Sequence, residues 1–507
     1  MFGPAARMAI GVLLVGASTV PLLNASSGLL TRESTRAGHP MRYMVTDPLY
    51  RLELHQLSHA GEAIDHEEEL TGSRVPGVII AHGLAASERL MLGYAHALTL
   101  AGYAVVLTDF VGHGRNALPF DQDSLQDGID HAYDVLVDQP EVDAERIALV
   151  GHSMGAGAVM AAARRNPERY RATVAVSPVA AEVTSSTPRN LLLQAGAWEA
   201  RYLRNAEFLL QRAGGPSDDF SSGRARALTP IAGAGHLSIL FRRASHQGAV
   251  EWLDRALEFA PVERVRYTDR RIVWWLAHVL GWMAIVASLA PVLRRDVDRE
   301  EHLIRRPMHW VGLAGAPLVA ALLVAGLARL IDVAHLGGMM VGGGLALWLL
   351  IAGTLALAVG FRVGRPTGRD ALWGVGLFVF LWCVVGMTSD YVWLNWRMVA
   401  PRLARFPLFA LACVPWFTAT ELVQGDPRSR SRWLACLVQI AALIAGLLLI
   451  AAWVPTMQVV TLMLPVLVLY VGCLVFVGSR INRPWGYGIG AGLFFGWLLA
   501  SAFPLVG

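Results

Sequence analysis

The chain has 507 residues, of which 54% are hydrophobic and only 16% are charged. Because soluble globular proteins carry about 25% charged residues, this composition excludes an ordinary soluble protein, and its apolar content excludes a disordered one. The formal net charge is +4, but the arginines are spread over loops between apolar segments, so we expect no nucleic-acid partner.

The sequence contains no lysine, and its four cysteines all lie beyond residue 380. The absence of lysine excludes a Schiff-base lysine, a Ser–Lys dyad and a P-loop lysine. The part of the chain before the first cysteine can hold neither a disulfide nor a zinc–thiolate site, and it contains no cysteine nucleophile. We therefore expect no cofactor and no metal.

Residues 1–30 contain an apolar segment, 8–23, that directly follows Arg7. The segment is near the short limit for a membrane-spanning helix, and it also fits the pattern of a signal peptide. Because no convincing small-x-small motif marks a cleavage site, we favour an uncleaved transmembrane anchor.

Residues 31–271 carry frequent charges, and their short apolar runs are separated by Gly, Pro and Asp. Apolar runs typical of buried parallel strands occur at 75–81, 103–110, 147–150, 172–176 and 191–194. Helical patterns occur at 87–101, 124–138, 154–165 and 246–259. This alternation predicts an α/β domain with a mainly parallel sheet and helices on both faces.

Residues 272–507 consist of long apolar runs separated by short loops that carry arginine. The runs are long enough to cross a lipid bilayer as helices, so a bilayer is the expected environment. The predicted spans are 272–293, 310–331, 336–361, 371–389, 406–423, 433–455, 456–478 and 487–507. We expect an all-α polytopic membrane domain.

The motif that carries chemistry is G151-H-S-M-G155, a G-x-S-x-G sequence between a predicted strand and an alanine-rich helix. Such a turn lifts its serine, Ser153, above the end of the sheet, and the two glycines leave room for the tight backbone. Two further segments follow earlier strands, H82-G83-L84 and D109-F-V-G-H-G114. We expect His82, Asp109 and His113 to shape these loops rather than to react.

These three motifs, in this order, resemble the α/β-hydrolase superfamily over roughly residues 70–260. Their spacing is similar to the branch of dienelactone-hydrolase-like and prolyl-oligopeptidase-like esterases and peptidases. The chain departs from the dienelactone hydrolases in that their nucleophile is a cysteine, whereas Ser153 stands here. The resemblance implies an α/β-hydrolase fold with a triad in the order Ser, acid, His. It also implies an oxyanion hole made by the backbone N–H groups of Leu84 and Met154.

The resemblance implies that the acid of the triad follows a strand beyond the nucleophile. Glu199, three residues after Gly196, is the favoured acid, although aspartate is the usual residue there. Glu182, after the preceding strand, is the alternative. His236 lies in a loop of small residues and is the favoured histidine. His246 is the alternative, but it opens a helical segment and is expected at the surface or as a helix cap.

The sequence therefore predicts a membrane-anchored serine hydrolase that cleaves an ester or amide of a lipid-derived, peptide or cell-envelope substrate through an acyl-enzyme. Only about ten residues separate Ser177 from Arg189, too few for a helical lid domain, so we expect an open site. An acyltransferase would use the same triad. The other alternative is a transporter-like or scaffold protein with a non-catalytic sensor domain of hydrolase fold.

The arginines predict the orientation of the chain in the membrane. The loops after the first, third, fifth and seventh C-terminal spans carry more arginines than the opposite loops, and Arg7 precedes the N-terminal segment. Because arginine-rich short loops stay in the cytoplasm, these loops are expected inside and the hydrolase domain outside. We expect an integral protein of a bacterial cell membrane with an extracytoplasmic hydrolase domain. The sequence leaves the oligomeric state open.

Overall fold

The computed structural model describes residues 3–47, 50, 74–260, 267–293, 307–359, 364–424, 430–478, 480 and 483–507. The chain divides into two compact units. We call Leu23–Ile272 together with Val392–Asn395 the α/β unit. We call Met1–Leu22, Val273–Tyr391 and Trp396–Gly507 the helical unit, which includes the N-terminal helix α1 (Pro4–Leu23).

The α/β unit is built on one sheet of eight strands. In chain order these are β1 (Leu29–Arg36), β2 (His39–Thr46), β3 (Val75–Ala81), β4 (Ala104–Thr108), β5 (Val142–His152), β6 (Ala172–Val176), β7 (Leu191–Gly196) and β8 (Arg226–Ile231). Their order across the sheet is β1-β2-β4-β3-β5-β6-β7-β8. The β1–β2 and β2–β4 pairs are antiparallel, and all other neighbours are parallel. The predicted mainly parallel sheet is therefore confirmed.

Helices cover both faces of this sheet. They are α2 (Leu92–Leu100), α3 (Leu125–Val137), α4 (Met154–Arg165), α5 (Ala200–Arg212) and α6 (Arg243–Ala256). Val78 and Ile80 of β3 pack with α2 and α6, whereas Ile79 and Ala81 pack with α3 and α4. Because successive residues of a strand point to opposite faces, burial on both sides requires the continuous apolar run seen in this strand.

Three strands were not predicted from the sequence, namely β1, β2 and β8. Seven of the eight residues of β1 are exposed, so this strand has no apolar run to mark it. β2 and β8 include polar residues and proline in their sequences, H-P-M-R-Y-M-V-T and R-A-L-T-P-I. Their pairing with β4 and β7 depends on distant parts of the chain, which a local pattern does not report.

The helical unit is almost entirely α-helical. Besides α1 it contains α7 (Arg271–Leu293), α8 (Pro307–Leu327), α9 (Gly342–Ala358), α10 (Gly368–Ser389, with a π-helical turn at Trp382–Gly386), α11 (Ala400–Gln424), α12 (Arg430–Trp453), α13 (Leu464–Gly478) and α14 (Pro484–Ala502). Within the described ranges, seven stretches are long and apolar enough to cross a membrane: α1, α7, α8, α10, α11, α12 and the segment Pro455–Gly478 that ends in α13. These helices indicate a membrane protein.

Two predicted spans are not among these seven. The segment 336–361 is helical only over α9, because Val333–Gly338 forms a 3-10 segment in which Gly337 has a φ of 68°. With 17 residues, α9 is about 26 Å long, which is short of the roughly 30 Å of a bilayer core. The segment 487–507 contains α14, a helix in which glycine recurs.

Several of the arginines that predict the orientation lie outside the described residues. They are Arg294, Arg295, Arg299, Arg305, Arg306, Arg362 and Arg428. The orientation in the membrane therefore stays a prediction.

Within the helical unit, α1 packs closely against α7. A Cβ atom built on Gly11 would lie 2.7 Å from the carbonyl oxygen of Gly281, so only glycine permits this approach. Further along α1, the Thr19 hydroxyl and His278 Nδ1 share a hydrogen bond of 3.0 Å. Residue numbers rise along α1 while those of its partners on α7 fall, so the pair is antiparallel. Small residues that let two backbones approach are typical of transmembrane helix pairs.

Candidate active site

Ser153 lies in a sharp turn between β5 and α4. Its backbone torsions, a φ of 56° and a ψ of −116°, fall in a region that residues with a side chain rarely adopt. The turn brings α4 so close to β3 that a Cβ atom on Gly155 would lie 2.5 Å from the carbonyl oxygens of Ala81 and His82. Glycine at this position therefore permits the close packing that holds the serine above the end of the sheet.

The structure brings Ser153, His236 and Glu199 together. His236 Nε2 is 3.1 Å from Ser153 Oγ, and His236 Nδ1 is 2.8 Å from Glu199 Oε2. Because the carboxylate accepts the Nδ1 hydrogen, Nε2 of the neutral imidazole accepts the hydroxyl hydrogen of Ser153. All three residues are buried. The structure therefore places a hydroxyl, an imidazole and a carboxylate in one hydrogen-bonded series, which is the arrangement that nucleophilic catalysis requires.

Glu199 is held in one orientation by two further donors. The Ser177 hydroxyl and the Gly196 N–H each donate to Glu199 Oε1 at 2.5 Å, which leaves Oε2 for His236. The backbone closes a tight turn here, because the Glu199 N–H donates to the Gly196 carbonyl at 3.1 Å. The end of β6, which precedes Ser177, and the end of β7 thus jointly position the carboxylate.

The loop after β3 lies directly beside the nucleophile. A Cβ atom on Gly83 would be 3.2 Å from Ser153 Cβ, and Leu84 follows immediately. His82 holds this loop, since its Nδ1–H donates to the Gly83 carbonyl at 2.8 Å and its Nε2 accepts the Phe110 N–H at 3.1 Å. Burial lowers the pKa of His82, which favours the neutral imidazole that this pair of hydrogen bonds requires.

Met154 is the first residue of α4. The N–H groups in the first turn of a helix have no acceptor inside the helix, and they carry its partial positive charge. The N–H groups of Met154 and Leu84, which the resemblance implies as oxyanion donors, therefore belong to the two backbone segments that flank Ser153.

Asp109 and His113 stabilise the neighbouring loop, as expected from the sequence. Asp109 Oδ1 accepts the N–H of Glu88 and Oδ2 accepts the N–H of Arg115, each at 2.8 Å. His113 Nδ1 donates to the Val111 carbonyl at 2.9 Å. Burial and the nearby charge of Glu88 raise the pKa of Asp109. Neither residue contacts the Ser153 side chain through any hydrogen bond described for this part of the structure.

Two residues that contact His236 were not predicted. His152 Nε2 donates to the backbone carbonyl of His236 at 2.9 Å, and burial, followed by the neighbouring His236, lowers the pKa of His152 well below its ordinary value. The ring of Tyr202 lies 4.1 Å from the imidazole of His236, measured between ring centroids. Sequence signals existed for both. His152 is the first of the two variable residues of the G-x-S-x-G motif, and Tyr202 lies one helical turn after Glu199.

The two alternative site residues lie elsewhere. Glu182 Oε2 pairs with Arg164 at 2.9 Å, and the Glu182 side chain is 72% exposed. The expectation that His246 lies at the surface or caps a helix is wrong, because His246 is buried and its Nε2 donates to the Leu240 carbonyl at 2.9 Å. α6 begins at Arg243, so His246 falls one turn inside the helix, on its buried face.

In the ranges that the structure describes, no three or more His, Cys, Asp or Glu side chains converge so that they could hold a metal ion. The polar side chains that do converge at Ser153 are the imidazole and carboxylate that nucleophilic catalysis requires.

The chain is similar to several known proteins. Residues 74–239 match the model of the family described as serine aminopeptidase, S33. Similar solved structures include a dienelactone hydrolase from Anabaena variabilis, which is 20% identical with a TM-score of 0.32 over 45% of this chain and 99% of that one. A CIB-like hydrolase from Thermoplasma acidophilum is 18% identical with a TM-score of 0.32 over 45% and 99% of the two chains. A membrane phospholipase A is 14% identical with a TM-score of 0.31 over 50% and 93%.

None of the curated proteins is significantly similar to the chain. The α/β unit has an α/β-hydrolase-like fold, and the family match supports a hydrolase of the serine-hydrolase type.

Proposed function

We propose that the chain is a membrane-anchored serine hydrolase that cleaves an ester or amide, with Ser153 as nucleophile, His236 as base and Glu199 as the orienting acid. The observation that carries this proposal is the hydrogen-bonded series from Ser153 Oγ through both nitrogens of His236 to Glu199, at 3.1 and 2.8 Å. The family match over residues 74–239 supports it.

The reaction begins when Ser153 Oγ attacks the carbonyl carbon of the substrate. The hydroxyl proton passes to His236 Nε2, and Glu199 stabilises the imidazolium that forms. The tetrahedral intermediate then collapses, and His236 returns the proton to the leaving group, which departs as an alcohol or amine. Water enters the same position, is deprotonated by His236 and releases the acid from the acyl-enzyme. An acceptor other than water would give acyl transfer by the same steps.

The negative charge on the tetrahedral oxygen needs donors that are already in place. The backbone N–H groups of Leu84 and Met154 supply them in this proposal, because both segments adjoin Ser153. Their side chains matter little for this role, since only the amide hydrogens act.

The proposed substrate is a lipid-derived, peptide or cell-envelope molecule, met at the outer face of a bacterial cell membrane. The support for a membrane location is the set of seven helices that are long and apolar enough to span a bilayer. The outward orientation is supported by the distribution of arginines along the sequence.

A fluorophosphonate probe tests the proposal on the intact, detergent-solubilised protein. The probe forms a phosphorus–oxygen bond with an activated serine and releases fluoride. We expect wild type to be labelled and Ser153→Ala not to be labelled. The matched control is Ser186→Ala, which removes an exposed hydroxyl from a surface loop and is expected to label like wild type. Folded wild-type protein that resists the probe would instead support a non-catalytic sensor domain.

A further inference from the structure

Two exposed aromatic side chains belong to the segment that begins beside the proposed active site. Trp198 is 75% exposed and Phe208 is 53% exposed, and in the described part of the α/β unit no other Phe, Tyr or Trp is exposed. Trp198 directly precedes Glu199, and its N–H donates at 2.9 Å to the carbonyl of Ala234, two residues before His236. The backbone therefore fixes Trp198 to the loop that carries the proposed base.

An arginine lies next to each of these two aromatic rings. The guanidinium of Arg242 donates to the Gly233 carbonyl. A Cβ atom built on Gly233 would be 3.6 Å from Arg242 Nη2 and 4.0 Å from Trp198 Cζ2, so the guanidinium and the indole meet at this glycine. In the same way, Cζ of Arg212 lies 5.8 Å from the ring centroid of Phe208. Each exposed ring is therefore accompanied by a positive charge.

The exposed side of α5 forms one basic stripe. Four of its exposed residues are spaced by three, four and four positions, which places them on the same face of a helix. They are Arg201, Arg204, Phe208 and Arg212. Ala206 and Leu209 lie on another face and pack in the core. Because Glu207 is the single acidic residue of α5, the stripe carries a net positive charge.

These exposed side chains together are called the basic aromatic surface. Its members are Trp198, Arg201, Arg204, Phe208, Arg212 and Arg242. Within the described ranges, none of its four arginines forms an ion pair with a carboxylate. Other exposed arginines, such as Arg36, Arg164 and Arg165, do pair with carboxylates. The charges of the basic aromatic surface therefore remain available to an external anion.

We propose that the basic aromatic surface docks on a lipid bilayer that contains anionic phospholipid. Guanidinium groups bind phosphate oxygens through several N–H donors, and the rings of Trp198 and Phe208 enter the adjoining apolar zone. Tryptophan is enriched at membrane–water interfaces, because its ring is apolar and its N–H is polar. The α/β unit follows α1, which ends at Leu23, and precedes α7, which begins at Arg271. Both helices are long and apolar enough to cross a membrane, so they tether the unit and raise the effective concentration of bilayer around it.

Docking through this surface has a consequence for the substrate, and this consequence rests on the serine-hydrolase function proposed above. Trp198 is bonded to Glu199, and Gly233, where Arg242 and Trp198 meet, lies three residues before His236. A bilayer held at the basic aromatic surface therefore adjoins the proposed active site. A lipid-derived substrate with an ester or amide near its headgroup would reach this site from the bilayer without first dissolving in water.

Hydroxyl-radical footprinting read by mass spectrometry tests the docking on the intact protein, because the radicals oxidise exposed Trp, Phe and Leu side chains. The protein is measured in detergent, in nanodiscs of phosphatidylcholine, and in nanodiscs in which about a quarter of the lipid is phosphatidylglycerol. We expect oxidation of Trp198 and Phe208 to fall several-fold in the anionic nanodiscs only. Leu118 is the internal control, since it is 42% exposed and lies beside Gly38, at the opposite edge of the sheet from β8, and its oxidation should stay the same.

Two double variants separate the basic aromatic surface from general charge. Arg204→Gln combined with Arg212→Gln should restore oxidation of Trp198 in the anionic nanodiscs, because the attraction to lipid phosphates is weakened. Arg164→Gln combined with Arg171→Gln removes the same charge from exposed arginines outside the surface and should leave Trp198 protected. Ser153→Ala should dock like wild type, since docking does not require the reaction. A protein that docks but resists the fluorophosphonate probe would therefore contradict the proposed function alone.

Three results would overturn the docking proposal. Oxidation of Trp198 that is equal in detergent and in both kinds of nanodisc would show that the surface does not meet the bilayer. Equal protection in neutral and anionic nanodiscs would show that anionic lipid is not what it binds. Protection in detergent that increases with protein concentration would show that a second copy of the chain occupies the surface instead.

Discussion

The side chain of His152 is tied to the backbone of His236, since its Nε2–H donates to the His236 carbonyl at 2.9 Å and the two rings lie 4.7 Å apart. The residue before the proposed nucleophile thus fixes the loop that carries the proposed base. This contact joins the end of β5 to a loop that is distant in sequence, and it acts on the same side of the sheet as the turn at Ser153.

Removing this contact should lower activity without unfolding the protein. We expect His152→Leu to lower kcat by about tenfold or more, because even a small displacement of the imidazole of His236 from Ser153 lowers the reaction rate strongly. His152→Gln, whose amide can donate to the same carbonyl, should lose less. The measurement is kcat and KM on a p-nitrophenyl ester, together with the thermal unfolding midpoint. Similar losses in the two variants would mean that the hydrogen bond does not position His236.

Replacing Glu199 by glutamine should lower kcat by roughly 10³- to 10⁴-fold, because the amide favours the wrong imidazole tautomer. The matched variant Glu182→Gln should remain close to wild type, since that side chain is exposed and pairs only with Arg164 among the ion pairs of the described residues. Steady-state hydrolysis of a p-nitrophenyl ester measures both variants. The reverse ranking would transfer the role of the acid to Glu182.

The α/β unit should lose stability on mild acidification because of buried neutral histidines. Burial lowers the pKa of His96 to about 3 and that of His246 to about 4. In the unfolded chain both histidines have a pKa of about 6.5, so below that pH the unfolded state binds more protons than the folded state. Each histidine should then remove about 1.4 kcal/mol of stability per pH unit until its folded-state pKa is approached.

The measurement is the thermal unfolding midpoint between pH 7 and pH 5 for wild type and for His96→Gln. Comparison with the variant separates this histidine from the carboxylates that also titrate. The wild-type midpoint should fall more steeply than that of the variant. Equal slopes would show that His96 does not enter the folded state as the neutral imidazole that its burial favours.

The N-terminal helix should remain part of the mature protein. The close approach of Gly11 to Gly281 and the hydrogen bond from His278 to Thr19 give α1 a packing partner within the helical unit. Intact mass of the purified protein should therefore include the residues of α1. Gly11→Leu should lower the thermal unfolding midpoint in detergent, whereas Gly16→Leu should not, because a Cβ atom on Gly16 meets no atom within 4 Å. A mature N-terminus beyond residue 23 would contradict the prediction.

Fusions to alkaline phosphatase, which is active only outside the cytoplasm, test the orientation. A fusion after residue 260 should be active and a fusion after residue 300 inactive, because the arginine-rich loop following α7 is expected inside. The opposite pattern would place Ser153 in the cytoplasm and exclude a cell-envelope substrate.

The parts of the fold that local pattern determines were predictable. β3, β6 and β7 are short apolar runs bounded by glycine, proline or charged residues, and each is a buried strand of the sheet. The edge hairpin of β1 and β2 was not predictable in this way, since exposure of β1 leaves no apolar run and the register of β2 on β4 is decided by tertiary contacts.

The candidate site was predictable where a motif fixes the backbone. G-x-S-x-G marks the turn at Ser153, and the resemblance to α/β-hydrolases, applied to the residues after β7, favoured Glu199 over Glu182. The contacts of His152 and Tyr202 with His236 could not be derived from spacing alone, because they require knowing where the loop after β8 folds back. His246 was misplaced because the N-terminus of α6 lies three residues earlier than the sequence suggested, which turns this side chain toward the core.

The torsions of Ser153 have a consequence for evolution as well as for chemistry. A side chain held at a φ of 56° and a ψ of −116° destabilises the folded state by about 1–3 kcal/mol, and glycine would relieve most of that penalty. Replacement of the proposed nucleophile Ser153 by glycine should therefore give a folded state that is more stable than that of the wild-type protein. In a duplicated copy that is no longer under selection for activity, substitution of Ser153 by glycine would abolish the proposed activity and stabilise the folded state.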